Sequence, residues 1–246
     1  MFNTDNNIRV YEVGGTIRDR ILGIPNKDHD FAVEAPSYEA MREYIIGRGR
    51  IYSEHPEFFT IRAHIDAGFS GTPIDADFVL CRREGEYTDG RRPDKVYVGT
   101  IYDDLARRDF TMNAIAVDVE TGEILDPYNG FGDIERRVMR CVGNPEDRFE
   151  EDALRMVRAL RFSITKDMKM VNGITLLFSD DHYLNLLKYT TSEDRKRDEL
   201  LRMFRHNTFQ TLEMLGEFPK LTKCLFYDGG IWLKPVTDVV MINARR

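Results

Sequence analysis

The chain has 246 residues, of which 42% are hydrophobic and 31% charged, with a formal net charge of −7 at pH 7. These values are typical of a globular protein with one large or two small domains, and the negative charge argues against general coating of nucleic acid. The three cysteines lack metal-site spacing, the N-terminus lacks a signal-peptide pattern, and no apolar run could span a membrane. We therefore expect a cytoplasmic protein.

The first informative segment is residues 13–33, which read VGGTIRDRILGIPNKDHDFAV. A short strand is predicted to end at Val13, Gly14 and Gly15 allow a tight turn, and helical apolar spacing follows. A strand, a glycine turn and a helix N-terminus together form a common anion site, which Arg18 could also reach. For the glycines alone, a simple turn with Arg18 in solvent is the better explanation.

Two aspartates close this segment. If residues 30–33 form a strand, Asp28 and Asp30 project to the same face. Carboxylates held together repel each other unless a cation lies between them, and oxygen ligands suit Mg²⁺, which also takes water and phosphate oxygens. The alternative is a polar turn with both charges in water, because Asp-x-Asp alone is a weak signal.

The next segments predict a helix and two strands. Residues 37–47 have the apolar spacing of a helix with Ser37 as its N-cap. Residues 58–65 and 74–80 read as strands that pair in a hairpin, with Asp75 and Asp77 on one face of the second strand. Residues 82–98 are polar and arginine-rich and predict a surface loop.

Three further segments follow. Residues 104–116 read DLARRDFTMNAIA and lead to a strand at 115–119, and residues 122–132 read GEILDPYNGFG, a turn, a short strand and a glycine-rich loop. Residues 147–162, DRFEEDALRMVRALRF, predict a single helix. At three-residue spacing on a helix, Asp152 and Arg155 should form a local pair, whereas Arg161 should point further around. An ordinary ion pair on a wet helix surface is the alternative.

In this order, the segments resemble the motifs of the class II nucleotidyltransferases, the family of bacterial and eukaryotic tRNA CCA-adding enzymes and bacterial poly(A) polymerases. The resemblance covers about residues 10–162 and continues weakly at 191–200, TSEDRKRDEL, which is similar to a neck helix with Ser192 as N-cap. The region after this helix is shorter than in most CCA-adding enzymes. Three explanations are consistent with this shorter region. The RNA is bound less tightly, a second subunit completes the RNA-binding surface, or the natural substrate is smaller.

The resemblance implies a role for particular residues. Asp28 and Asp30 would hold the metal ions, and Asp77 would either line the site with them or be an outward-facing charge on an edge strand. Asp152 and Arg155 would select the base of CTP or ATP. The remaining nucleotide-binding residues would be Gly14, Gly15, Arg18, Arg108, Asn113, Arg158 and Arg161, with Arg108 on the triphosphate and Asn113 on ribose or phosphate.

We therefore expect an α+β fold, with a nucleotidyltransferase palm-like mixed sheet and flanking helices followed by a small all-helical neck. The head would comprise residues 1–140, and the neck with a truncated body residues 141–246. The expected reaction is Mg²⁺-dependent addition of CMP and AMP from CTP and ATP to an RNA 3′ end, that of tRNA. Poly(A) synthesis, addition of C or A alone, and a non-catalytic nucleotide- or RNA-binding module are the alternatives.

Overall fold

A computed structural model of the chain describes residues 8–26, 28–66, 71–84 and 96–228. The chain divides into two compact units, Met1–Arg148 and Phe149–Arg246, and the division falls inside the helix Pro145–Glu151. The domain boundary expected after residue 140 stays a prediction. The centre of the predicted loop at 82–98 lies outside the described residues.

The secondary structure of the first unit is mixed. In the part of the chain that the structure describes, its strands are β1 (Arg9–Val13), β2 (Asp30–Glu34), β3 (Gly49–His55), β4 (Thr60–Ile65), β5 (Ile74–Leu80), β6 (Arg82–Glu84), β7 (Val96–Val98), β8 (Ala116–Asp118), β9 (Ile124–Leu125) and β10 (Val138–Met139). Its helices are α1 (Gly15–Leu22), α2 (Tyr38–Ile46), α3 (Ile101–Ala106) and α4 (Gly130–Glu135), and α5 (Pro145–Glu151) begins in it. Short 3₁₀ turns lie at Pro56–Phe58 and Thr111–Asn113.

The central element of this unit is a seven-stranded mixed sheet with the order β3-β4-β5-β2-β1-β8-β9. β2 and β5 are parallel, and the other neighbouring strands are antiparallel. β6 and β7 form a separate antiparallel ribbon. The parallel pair brings the start of β2 next to β5, which decides where the acidic residues lie.

The sheet is covered differently on its two faces. Phe78 and Ile61 belong to one buried cluster with Met41 of α2, whereas Tyr11 belongs to a second cluster with Leu105 of α3. Alternation along β5 buries Ala76, Phe78 and Leu80 and turns Asp75 and Asp77 away from the α2 cluster. Burial of each large apolar side chain contributes roughly 1.5–3 kcal/mol.

Several sequence predictions for this unit are confirmed. Ser37 precedes α2 and its hydroxyl accepts a hydrogen bond from Ala40 N at 3.2 Å, as an N-cap does. β4 and β5 pair as antiparallel neighbours, as the predicted hairpin requires. The edge strand β3 was not predicted, because its residues are mostly exposed and lack a continuous apolar face.

As far as residue 228, where the description ends, the second unit is helical apart from one two-residue strand. Its elements after α5 are α6 (Leu154–Thr165), β11 (Lys169–Met170), α7 (Asn172–Leu177), α8 (Asp181–Thr190), α9 (Glu193–His206), α10 (Thr208–Glu217) and α11 (Pro219–Lys223), followed by a π-helical turn at Cys224–Asp228. Ser192 precedes α9 as predicted, but its side chain makes no capping hydrogen bond. Over the described residues, no helix combines the length and apolarity needed to cross a bilayer.

The prediction of one continuous helix over 147–162 is wrong. α5 ends at Glu151 and α6 begins at Leu154. The carboxylate Oδ1 of Asp152 accepts a hydrogen bond from Leu154 N at 3.1 Å. Aspartate side chains compete with the helical pattern in this way, so the break is a local effect of Asp152.

Candidate active site

The glycine turn lies between β1 and α1. Gly14 has a φ of 70° and a ψ of −127°, a conformation available essentially to glycine alone, and Gly15 begins the helix. A Cβ atom added at Gly14 would lie 2.8 Å from Nη1 of Arg108. The first turn of α1 contains no acidic residue. The backbone N–H groups of a helix start and a nearby guanidinium together favour an anion.

Arg108 is held by a buried carboxylate. Its Nη2 donates to Oδ2 of Asp104 at 2.8 Å, and its Nη1 donates to the carbonyl oxygen of Asn113 at 3.1 Å. Asp104 is fully buried and also accepts a hydrogen bond from Arg107. Burial alone would raise the pKa of Asp104, but the two arginines outweigh it and lower that pKa to about 2. Sequence reasoning missed Asp104, although its spacing of three and four residues from the arginines was a usable signal.

Arg18 and Asn113 contact each other in the interior of the unit. Arg18 Nη1 donates to Asn113 Oδ1 at 2.6 Å, and Asn113 Nδ2 donates to Asp109 Oδ1 at 2.9 Å. Both Arg18 and Asn113 are 6% exposed. The network links the helix after the glycine turn to the segment that carries Arg108.

The three predicted carboxylates lie around the start of β2. Asp30 is the direct partner of Asp77 in the parallel pairing of β2 with β5. Asp28 is exposed and comes just before the strand, and the carbonyl oxygen of Asp28 accepts a hydrogen bond from the hydroxyl of Thr16 at 2.9 Å. Burial, followed by the charges of Asp77 and Asp28, raises the pKa of the Asp30 carboxyl, whereas Arg108 acts in the opposite direction.

This donor set fits a divalent cation. Among the described residues, no group of three or more His, Cys, Asp or Glu side chains is arranged as a metal site. Magnesium, however, needs only one or two carboxylates when water and phosphate oxygens complete its coordination. Asp28 and Asp30 supply such a pair, and the like charges around Asp30 favour a cation there.

Asp77 and Asp75 lie on the face of β5 opposite the α2 cluster and have different neighbours. Asp77 Oδ2 lies 3.6 Å from Nη1 of Arg62. Asp75 accepts hydrogen bonds from Tyr52 at 3.1 Å and lies 2.8 Å from Nδ1 of His64. Of the two acids on β5, only Asp77 is the partner of Asp30.

In the second unit, the expected side-chain pair between Asp152 and Arg155 is wrong. The Asp152 carboxylate is bound instead by Arg195 of α9, with Nη2 to Oδ2 at 2.7 Å. Arg155 Nη1 donates to Glu151 Oε2 at 2.6 Å. The break between α5 and α6 explains why Asp152 and Arg155 have different partners, because the regular helical spacing that predicted the pair does not extend across the break.

Arg161 and Arg158 contact another acid of α9. Arg161 is 9% exposed, and its Nε donates to Oε2 of Glu199. Arg158 Nη1 lies 3.6 Å from Oε1 of Glu199. The guanidinium of Arg161 also lies 3.9 Å from the centroid of the Phe162 ring. The structure therefore places Arg161 in a buried contact between α6 and α9.

Three features define a head domain of the nucleotidyltransferase class. They are the mixed sheet, the glycine turn next to Arg108, and the paired aspartates Asp30 and Asp77 on adjacent strands. Residues 10–140 match the family described as Poly A polymerase head domain, and the chain belongs to this family. The resemblance inferred from the sequence motifs is confirmed, as is the mixed α+β fold with a helical C-terminal part.

Known proteins similar to the chain include CCA-adding enzymes. The CCA-adding enzyme of Ligilactobacillus salivarius is 40% identical over 161 residues, which are 65% of this chain and 37% of that protein. The crystal structure of the Bacillus stearothermophilus CCA-adding enzyme in complex with CTP matches with a TM-score of 0.71 and 30% identity, over 87% of this chain and 49% of that one. The Thermotoga maritima CCA-adding enzyme complexed with tRNA matches with a TM-score of 0.68 and 27% identity, over 96% and 52% respectively. The chain thus spans roughly a third to a half of the length of these relatives.

Proposed function

We propose that the protein is a template-independent RNA nucleotidyltransferase that adds CMP and AMP from CTP and ATP to the 3′ end of tRNA. The observation that carries this proposal is the placement of Asp30 opposite Asp77, in a region whose electrostatics also include Arg108 beside the glycine turn. Acidic groups for a metal and basic groups for a triphosphate are what nucleotidyl transfer requires. The similar proteins described above are CCA-adding enzymes, which supports the same reaction.

The proposed reaction joins the RNA 3′ hydroxyl oxygen to the α-phosphorus of the nucleotide. The bond from that phosphorus to the bridging oxygen breaks, pyrophosphate leaves, and the hydroxyl proton passes to solvent. Asp28 and Asp30 would hold Mg²⁺, which when bound lowers the pKa of the attacking hydroxyl and offsets charge on the leaving group. Asp77 would line the same site from β5. Backbone N–H groups at Gly14 and Gly15 and the guanidinium of Arg108 would bind the triphosphate oxygens.

The other predicted residues have more indirect proposed roles. Asn113 would bind ribose or phosphate, and Arg18 would hold Asn113 in place through their 2.6 Å hydrogen bond. Asp152 and Arg155 would select the base. Arg158 would contribute to nucleotide binding, and Arg161 would act by fixing α6 against Glu199, because its side chain is buried there. The expected cytoplasmic location stays a prediction.

An extension assay with the full chain tests this function. A tRNA lacking its last three nucleotides is incubated with Mg²⁺ and CTP, ATP or both, and the products are sized. CCA addition predicts a defined stop after three additions when both nucleotides are present. Asp28→Ala should abolish extension, and Asp28→Ala protein that incorporates nucleotide at the normal rate would contradict the metal assignment.

The same assay separates the alternatives. Long A tails with ATP alone would identify a poly(A) polymerase. The matching family, Poly A polymerase head domain, is consistent with this alternative. Products that stop after C or after A alone would identify a partial activity. Nucleotide binding that needs no Mg²⁺, with no transfer to any RNA, would identify a non-catalytic binding module.

A further inference from the structure

A bulge in the edge strand β3 directs Tyr52 towards β5. The pairing of β3 with β4 shifts register between Ile51 and Ser53, so Tyr52 is the residue at the bulge. Bulges redirect side chains and are frequent next to active sites. The Tyr52 hydroxyl donates to Oδ1 of Asp75 on β5 at 3.1 Å, across the intervening strand β4. An asparagine at position 75 could accept the same hydrogen bond, so this anchor does not depend on the charge of Asp75.

The ring of Tyr52 is exposed although its hydroxyl is bound. Tyr52 is 54% exposed, and its ring centroid lies 6.4 Å from that of His64 at an interplanar angle of 45°. His64 Nδ1 lies 2.8 Å from the same Asp75 oxygen, so one carboxylate holds both rings. An exposed aromatic ring that is fixed in direction is a platform on which a nucleic-acid base can stack.

Positive charge lies beside this ring. Arg62 on β4 is exposed, and its Nη1 lies 3.6 Å from Oδ2 of Asp77. The hydrogen bond to Asp75 raises the pKa of the Tyr52 hydroxyl. The charges of Arg50 and Arg62 act on that pKa in the opposite direction, so both guanidiniums lie near the hydroxyl. An aromatic platform with adjacent guanidiniums is the combination that binds single-stranded RNA.

Tyr52 and Arg62 are next to the proposed metal site. Arg62 is the direct partner of Asp77 in the pairing of β4 with β5, and Asp77 is the direct partner of Asp30. Asp75, which binds the Tyr52 hydroxyl, is two residues from Asp77, or about 7 Å along the strand. One nucleotide can span this distance, with its base at Tyr52 and its 3′ hydroxyl beside the carboxylates.

We propose that Tyr52 and Arg62 bind the 3′-terminal nucleotide of the RNA, with its base stacked on Tyr52 and its phosphate bound by Arg62. The proposal rests on the proposed function, which brings an RNA 3′ hydroxyl to Asp28 and Asp30. Stacking is tolerant of sequence because every base has a π-face. Such a site suits an enzyme that extends an RNA end whose last base changes with each addition.

RNA binding by the full chain in the absence of nucleotide tests the role of Tyr52. A tRNA that lacks its last three nucleotides carries a fluorescent adenine analogue at its 3′ end. Tyr52→Ala should raise the Kd for this RNA on the order of tenfold, because it removes the stacking of one base, and should change the fluorescence of the bound RNA. Tyr52→Phe keeps the ring but loses its anchor, so its Kd should lie between the two. Tyr102→Ala is the matched control, because Tyr102 is 55% exposed on α3 and should leave both readouts unchanged.

The salt dependence of the same Kd tests the role of Arg62. Arg62→Gln should lower the slope of log Kd against log salt concentration by about one, as expected for the loss of one phosphate contact. Arg42→Gln is the matched control, because Arg42 lies on α2 and pairs with Glu54 at 2.7 Å, so the slope should not change. Thermal unfolding identifies any variant that does not fold, and Tyr52→Leu replaces Tyr52→Ala if that variant is unfolded.

The outcomes separate this proposal from the proposed function. A wild-type protein that extends tRNA, with the same Kd in Tyr52→Ala and the same slope in Arg62→Gln, would overturn this binding site alone. Weaker binding of CTP with unchanged binding of RNA in Tyr52→Ala would also overturn it, because the ring would then hold the incoming nucleotide. A wild-type protein that neither binds nor extends tRNA would overturn the proposed function and the binding site together.

Discussion

Asp30 and Asp77 are direct partners on the adjacent parallel strands β2 and β5. Parallel neighbours at the same register project to the same face of the sheet, so their carboxylates share one local environment. Burial of Asp30, with Asp77 as the next contributor, raises the pKa of the Asp30 carboxyl. The strand pairing thus brings Asp30, from the Asp-x-Asp segment, next to Asp77, which comes much later in the chain.

Asp77→Asn should slow nucleotide incorporation on the order of a hundredfold, since loss of a carboxylate beside the metal site removes several kcal/mol of transition-state stabilisation. Single-turnover extension of tRNA with CTP measures the effect. Asp75→Asn is the matched control, because Asp75 shares the strand face but is bound by His64 and Tyr52. Equal rates for the two variants would place Asp77 outside the site.

Gly14→Ala should weaken nucleotide binding as well as folding. Gly14 and Gly23 have φ angles of 70° and 69°, so alanine at either position costs about 1–3 kcal/mol of backbone strain. A Cβ at Gly14 would also lie 2.8 Å from Nη1 of Arg108, whereas one at Gly23 meets nothing within 4 Å. Both variants should unfold at lower denaturant concentration, but only Gly14→Ala should raise the Kd for CTP. A larger increase in the Kd for CTP in Gly23→Ala than in Gly14→Ala would exclude the glycine turn from the binding site.

Arg108→Lys should raise the KM for CTP about tenfold, because lysine cannot replace the fork that binds both Asp104 and a phosphate. Arg107→Lys provides the comparison, since Arg107 also pairs with Asp104, at 2.5 Å. Steady-state extension kinetics over a range of CTP concentrations give both KM values. If the two substitutions raise KM equally, the effect comes from Asp104 and not from contact with the triphosphate.

Asp104→Asn should lower stability at neutral pH and flatten its dependence on pH in acid. The folded pKa of Asp104 is about 2, below the ordinary value of 3.8, so the carboxylate contributes stability above pH 3.8 that is lost as the pH falls towards 2. The difference corresponds to about 2 kcal/mol. Urea unfolding of both proteins between pH 5 and pH 2, a range set by these pKa values, measures it. If the free energy of unfolding falls equally with decreasing pH in the wild type and in Asp104→Asn, Asp104 is not responsible for acid sensitivity.

Lys196→Met should raise the free energy of unfolding by about 1 kcal/mol at pH 7. Lys196 is 2% exposed, and its amine has a hydrogen bond of 3.4 Å to the carbonyl oxygen of Lys188. Burial lowers the pKa of Lys196 from 10.5, so the folded wild type binds this proton less tightly, and its stability should rise as the pH increases from the folded pKa towards 10.5. That rise should be absent in Lys196→Met and present in Lys188→Met. A less stable Lys196→Met protein would show that the buried amine is favourable.

Local patterns in the sequence predicted much of the first unit. The N-cap at Ser37 and the alternation along β5 are decided by neighbouring residues, so they could be predicted without knowledge of the fold. The edge strand β3 could not, because it is mostly exposed and its pairing with β4 supplies what its own pattern lacks. The burial of Arg18 and Arg161 was likewise not predicted, since a cation is buried only where tertiary partners such as Asn113 and Glu199 receive it.

The sequence by itself determined the family, the strand–glycine turn–helix order and the presence of aspartates at two-residue spacing, because these depend on residue types at short separations. Only the tertiary structure decided that Asp77 is the partner of Asp30 and that Arg195, not Arg155, binds the Asp152 carboxylate. Strand order and helix packing bring together residues that are distant in the chain, and a break of two residues between α5 and α6 is enough to change the partner of a charge.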